Sequence, residues 1–420
     1  MSATLESTVP PAEAPAAPKK GLTRPVRITL YVVAGLVLLS AIRQITGATD
    51  LTSNGTVSAA LMLAVPIGLA GLGGLWSERA GVVNLGLEGM MILGTFGAGW
   101  IGWQHGPWAG VLTAVAFGAI GGLVHAVATV TFGVDHTVSG VAINILGLGT
   151  TQYLAGELLA DTPGGGETQS PQIAALPKPS VPGLNSVLEP LEKHHWFLIS
   201  DIAGILRGLL TNVSILTILA VLLVVVSYLI LWQTPFGLRL RSVGEDPHAA
   251  ESLGVKVRLY KYVAVVVSGG LAGLAGAFLA IVASSLYREG QTGGRGYIGL
   301  AAMIFGNWRP GGLVMGAGLF GYTDAMQLRN ATAVHALLLV VFALLLAVTL
   351  LNLYRRRWIP AVIGLVFAVL SLVWYLNTDE LPGPITTMTP YVTTLLVLAL
   401  AAQHLRMPKA DGLVYRPEGK

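Results

Sequence analysis

An all-α fold, a polytopic bundle of transmembrane helices, follows from three features of this 420-residue sequence. Apolar stretches of about 20 residues, the length that spans hydrocarbon, recur between residues 28 and 405. Charged residues are 11% and hydrophobic residues 53%, whereas an ordinary soluble domain carries about 25% charged residues. The period-two alternation of a membrane β-strand is missing. The 53 glycines, many inside apolar runs, suit close-packed and interrupted membrane helices. Cysteine is absent, which removes disulfides, thiolate metal ligands and a cysteine nucleophile. The net charge of +4 collects at span edges, so it speaks to membrane orientation and not to nucleic acid.

Taken in order, residues 1–27 are rich in Pro, Ala, Ser and Thr and carry Lys19, Lys20, Arg24 and Arg27. They read as a disordered cytoplasmic tail without a signal-peptide cleavage site. The transmembrane domain is expected over 28–405. Its first spans are 28–45 and 57–75, the second containing Pro66. Asn84 and Glu88, four apart, would share a helix face at the start of a run reaching residue 103. A lone carboxylate in lipid is costly, so both should face protein or a polar cavity. Spans at 107–131 and 136–156 follow; the first holds Gly118 and Gly122 at small-xxx-small spacing, the second Asn144. Residues 157–211 are poor in basic residues and form an extracytoplasmic loop, in which His195 to Leu210 could lie at the interface with Trp196 at headgroup level.

Spans at 213–232 and 262–283 bracket a polar island, Gly237 to Lys261. Asp246 is placed to N-cap a short helix, Pro247 suits its first position, and Gly254 suits its stop. So short a helix is not stable alone and must dock, on its own protein or on a partner. Arg239, Arg241, Lys256, Arg258 and Lys261 flank it and mark the cytoplasmic side. The island is either a solvated loop that orients the helices or a docking helix for a cytoplasmic partner. Next, 297–308 is too short for an ordinary span and suits a half-helix, crossing or re-entrant. Further runs occupy 311–328, 335–352, 358–376 and 388–405, and 406–420 forms a cytoplasmic tail. With both termini inside, about twelve crossings put Arg239, Arg241 and Arg355 to Arg357 inside and Asp379 and Glu380 outside. Were 297–308 re-entrant, Arg355 to Arg357 would face outward.

No P-loop, no His-Glu-x-x-His and no Gly-x-Ser-x-Gly occurs, and the eight histidines lack metal-ligand spacing. We therefore expect no catalytic residues, no metal and no cofactor on this chain. Asn84, Glu88 and Asn144 are candidate polar groups near a substrate pathway, where they would hydrogen-bond a hydroxylated solute. The same groups could equally serve as interhelical hydrogen bonds. Glu88 and Asp324 are the main intramembrane acids, too few for the relay of a proton-coupled pump.

Three stretches together carry a family resemblance: Glu78 to Met90 (ERAGVVNLGLEGM), Phe236 to Val255 (FGLRLRSVGEDPHAAESLGV) and Gly294 to Pro310 (GRGYIGLAAMIFGNWRP). In this order and spacing they resemble permease subunits of bacterial ABC importers for nucleosides and simple sugars, nearest to the nucleoside branch served by a lipoprotein receptor. The resemblance implies about ten core spans of the type II importer kind, leaving 335–376 as an inserted hairpin. It implies a second homologous permease subunit, a cytoplasmic ABC ATPase that hydrolyses the ATP, and an extracytoplasmic substrate-binding lipoprotein, all at the bacterial cytoplasmic membrane. It also implies a coupling helix over Gly244, Glu245, Asp246, Pro247, His248, Ala249, Ala250, Glu251, Leu253 and Gly254. The competing reading is a stand-alone secondary transporter or channel for a small polar solute.

Overall fold

The computed structural model describes residues 24–329, 331–389, 392 and 405–416. The expected span at 388–405 falls almost wholly outside them, as do 1–23 and 417–420. Among the described residues the fold is helical, with two isolated β-bridges and no strand.

The chain order is α1 (Arg24–Thr46), α2 (Asn54–Arg79), α3 (Leu87–His105), α4 (Pro107–Ala126) and α5 (His136–Leu159). Two short helices follow, α6 (Leu184–Lys193) and α7 (Ile199–Leu210), then α8 (Ile215–Gln233), α9 (Pro235–Glu245) and α10 (Pro247–Ser252). The rest are α11 (Val257–Ala277), α12 (Arg295–Phe305), α13 (Pro310–Arg329), α14 (Ala331–Tyr354), α15 (Trp358–Asn377) and α16 (Gly383–Thr387). Single π-helical turns extend α4 over Val127–Thr131 and α11 over Phe278–Ala283. Such turns leave i→i−4 partners unmatched and sit where a helix end must be re-aimed.

Seven helices among the described residues are long and apolar enough to cross a membrane; α3, α5 and α13 have the length with a more polar composition. Helix α1 starts at Arg24, within the tail expected to be disordered, because Pro25 suits a first helical turn and an apolar run follows directly. The loop after α5 is also more ordered than a structureless connection. Arg43 of α1 pairs with buried Asp201 of α7 at 2.8 Å, and Ser40 and Thr52 donate to the same carboxylate.

Helix α11 is the hub: 78% of its membrane-length window is buried, more than for any other candidate span among the described residues. It lies against α2, α3 and α4 through a seam of small residues. A β-carbon added at Gly118 of α4 would come within 2.6 Å of Gly273 Cα, and one at Gly269 within 2.9 Å of Gly122 Cα. Backbones approach this closely only where neither carries a side chain, and the gain is dispersion contact that lipid cannot match. Helices α14 and α15 pack mainly on each other and touch α1 and α13. Gly118→Val should therefore lower the melting temperature of the detergent-purified chain sharply, by overpacking worth roughly 1–3 kcal/mol or more. Gly149→Ala, at a site with nothing within 4 Å of the new carbon, should leave it unchanged.

Candidate functional site

The third span is broken. Helix α2 ends at Arg79, the chain reverses at Gly81 (φ 77°), and no helix resumes until Leu87. The intervening backbone lies deep in the bundle, with Val82 and Asn84 fully buried. Each exposed amide or carbonyl there would cost several kcal/mol in hydrocarbon, so partners must be supplied. Neighbouring helices supply them. Lys261 Nζ of α11 donates to Gly81 O at 3.1 Å. His136 Nδ1 of α5 accepts from Val83 N, and His125 Nε2 of α4 meets Val83 O at 3.0 Å. A carbonyl can only accept, so His125 carries its proton on Nε2 and takes the Ser139 hydroxyl on Nδ1 at 2.8 Å. Asn84 closes a local turn by accepting from Gly86 N and donates to Ser268 Oγ of α11 at 2.9 Å. Asn144 bridges the last gap: its amide donates to Leu85 O at 2.9 Å and to the Tyr297 hydroxyl at 2.8 Å, and its oxygen accepts from Gly89 N at 2.7 Å.

Glu88 stands in the first turn of α3 and reaches a second helix end. Its carboxylate accepts from Gly294 N at 2.9 Å and Gly296 N at 2.7 Å, the free amides at the start of α12. One negative charge thus serves two helix N-termini, where the partial positive charge of the peptide dipoles favours it. Contact between Gly299 of α12 and Gly71 of α2 sets the depth. At 1.5 Å per residue the start of α12 lies roughly 18 Å inside the end of α2. The half-helix therefore begins in the middle of the bundle. Arg295 pairs with Asp324 of α13 at 3.6 Å beside it.

The polar island holds two helices. Thr234 caps α9 through Gly237 N, and Asp246 caps α10 by accepting from Ala249 N at 2.9 Å. Gly254 ends the turn with φ 82°. Pro247 and Ala250 are buried, Gly244 packs on the Arg79–Gly81 backbone, and Glu251 is half-buried. Glu245, Asp246, His248, Ala249 and Leu253 are exposed, Leu253 at 84%.

Asn84 and Glu88 do not share a helix face as the sequence spacing suggested, because Asn84 lies in the unwound stretch and only Glu88 is helical. Lys261 is not a solvated flank of the island; it is 2% exposed and holds the break. Helix α9 was not anticipated, because Gly237 and three basic or hydroxyl residues masked its amphipathic pattern. Sequence reasoning also missed Ser268, Tyr297, Ser77 and the Glu78–Trp308 hydrogen bond. The available signal was the helical spacing of the polar residues: His136 and Asn144 are eight apart, and Lys261 and Ser268 seven. The seven-residue spacing is close to two full turns, and the eight-residue spacing overshoots two turns by about 80° yet keeps the same general face.

Glu88→Ala should leave the buried Gly296 amide and the half-buried Gly294 amide unpaired and destabilise the purified chain, by about 1–3 kcal/mol for the buried one. Glu88→Gln, which keeps one acceptor, should fall between it and the native chain in melting temperature. Tyr297→Phe should shift the melting point least of the three, since Asn144 keeps its other bonds.

Residues 56–350 match the family described as the branched-chain amino acid transport system / permease component. The guanosine ABC transporter permease protein NupQ of Bacillus subtilis is 33% identical over 367 residues, covering 86% of this chain and 95% of the relative. The nucleoside ABC transporter permease protein NupC of Lactococcus lactis is 31% identical, covering 84% and 94% respectively. A putative glucose ABC transporter permease protein of Haloferax volcanii, TsgC13, is 37% identical over a shorter stretch, 68% of this chain and 79% of the relative. No solved structure matches the chain significantly. With seven helices among the described residues long and apolar enough to cross a membrane, and alignments running nearly the whole length of two relatives, this chain belongs to the branched-chain amino acid transport system permease family, as a multi-pass ABC importer permease of the cell membrane.

Proposed function

We propose that the chain moves a nucleoside inward by alternating access, as one permease of a heteromeric importer. The observation that carries the cargo class is the near-complete alignment with two relatives named for guanosine and for nucleosides. A second reading, a simple sugar, is favoured by the higher identity to the putative glucose permease, over a smaller share of both chains. A nucleoside contains a sugar, so the two cargoes share ring hydroxyls and differ in the base. The partners under this reading are a second homologous permease, a cytoplasmic ABC ATPase and an extracytoplasmic binding lipoprotein. ATP is hydrolysed on the partner, and this chain needs no cofactor of its own.

Helix α10, within Gly244 to Gly254, is the coupling helix in this scheme. Its support is the contrast between a well-capped, internally docked helix and the 84% exposure of Leu253 at its end. Under this reading the exposed leucine seats on the ATPase. Both termini are then cytoplasmic, twelve crossings include the half-depth α12, and 335–376 is an added hairpin on the lipid side. Asn84, Glu88 and Asn144 serve the pathway by holding its walls, and Tyr297 beside them is half exposed.

The cargo is tested by uptake of labelled guanosine in cells carrying the complete transporter. Unlabelled nucleosides should compete and glucose should not; the reverse pattern would establish the sugar reading. For the coupling helix, Leu253→Asp and Glu251→Lys should each abolish co-purification of the ATPase and cut uptake at least tenfold. The melting temperature of the isolated permease should not change. Intact assembly in both variants would sink the assignment.

A further inference from the structure

Residues 405–416 form no helix, yet Ala410, Asp411 and Tyr415 are buried to 5%, 7% and 8% exposure. This stretch runs between the end of α9, the side of α10, the break after α2 and the turn after α12. The Ala410 amide donates to Gly244 O at the end of α9, at 2.9 Å, and the Ala410 carbonyl lies against Gly81, where a β-carbon would meet it at 3.1 Å. Tyr415 packs among Val243, Ala250 and Val257, with its ring 5.4 Å from that of His248. It therefore touches α9, α10 and the start of α11 together. Asp411 faces Glu78 in the last turn of α2, and burial pushes the Asp411 carboxyl up to about 7 against the opposing pull of Lys261 and Arg79. Glu78 in turn accepts the indole N–H of Trp308, just past α12. Arg406 N donates to Asn307 Oδ1 at 2.7 Å in the same turn.

Helix α10 is only six residues long and buries two side chains of its own. Such a helix transmits displacement poorly unless something ties it to the elements that must move. We propose that residues 405–416 are a strap that makes the broken span and α12 follow α10, with Tyr415 and Asp411 as positioning residues for energy coupling. Tyr415 is the grip on α9 and α10. Asp411 and the Ala410 carbonyl are the grip on the break at Glu78 and Gly81. The strap rests on the reading of α10 as the coupling helix, but it makes a separate claim: docking the ATPase and transmitting its closure depend on different residues.

The test uses the whole transporter in proteoliposomes, reading substrate taken up per ATP hydrolysed. Tyr415→Ala, and a chain ending after Arg406, should still co-purify with the ATPase and hydrolyse ATP, while uptake per ATP falls at least fivefold. Tyr415→Phe should stay within twofold of native. Uptake per ATP within twofold of native in both the alanine variant and the truncation overturns the strap. Loss of ATPase binding in both also overturns it, since the segment would then only shape the docking surface. Retained ATPase binding in Leu253→Asp would instead count against the α10 reading. A measurement on the native complex needs no variant: on nucleotide binding, amide exchange at 80–86 and at 405–416 should change together. A change at 80–86 with 405–416 unaltered overturns the proposal.

Discussion

A backbone amide or carbonyl in hydrocarbon must find a partner within the protein, and the unwound residues 80–86 bring that requirement to the centre of the bundle. Three helices answer it, two of them with a pair of side chains about two turns apart and one with a single side chain. His136 and Asn144 lie on one face of α5, and Lys261 and Ser268 on one face of α11. His125 comes from α4. The break therefore fixes the rotation of all three helices about their axes, because a turn of about 100° would withdraw a donor or acceptor from the chain. Packing alone would fix it less well, since a seam of small residues tolerates sliding more readily than a set of directed hydrogen bonds.

Glu88 extends the same logic from a strand of backbone to two helix ends. Helices α3 and α12 both begin at mid-depth, where unpaired amides are most costly, and a single carboxylate satisfies two amides of α12 while standing in the first turn of α3. Gly296 makes the arrangement possible: a β-carbon there would come within 2.7 Å of Glu88 Cα. A charge in the bundle interior is thus stabilised by dipoles and amides, with no basic partner among the described residues. That explains how the acid is held at depth without a basic relay around it.

Much of the fold was legible in the sequence because its signals are one-dimensional. Apolar run lengths gave α1, α4, α8, α11, α14 and α15 to within a few residues, and Asp246, Pro247 and Gly254 marked α10 by local chemistry alone. The half-depth α12 was visible as an apolar run too short to span. The candidate site was legible only as a list of polar residues. What Asn84 and Glu88 do depends on which helices lie across from them, and a four-residue spacing could not reveal that the chain between them is partly unwound. Lys261 misled for a related reason. At a span edge a lysine usually turns to the headgroups, and only the nearby break gives its ammonium a carbonyl to approach inside.

The polar side chains at the break have nearly all their hydrogen-bonding capacity engaged within the bundle. Asn84 spends its amide on Ser268 and Met90 and its oxygen on Gly86; Glu88 spends both oxygens on α12. Asn144 has both amide protons engaged, one on Leu85 O and one on the Tyr297 hydroxyl. Removing any one of these bonds would leave a buried backbone or side-chain partner unsatisfied and loosen the break. Tyr297 differs. Its oxygen accepts from Asn144 while its own proton remains for donation, and its side chain is about half exposed.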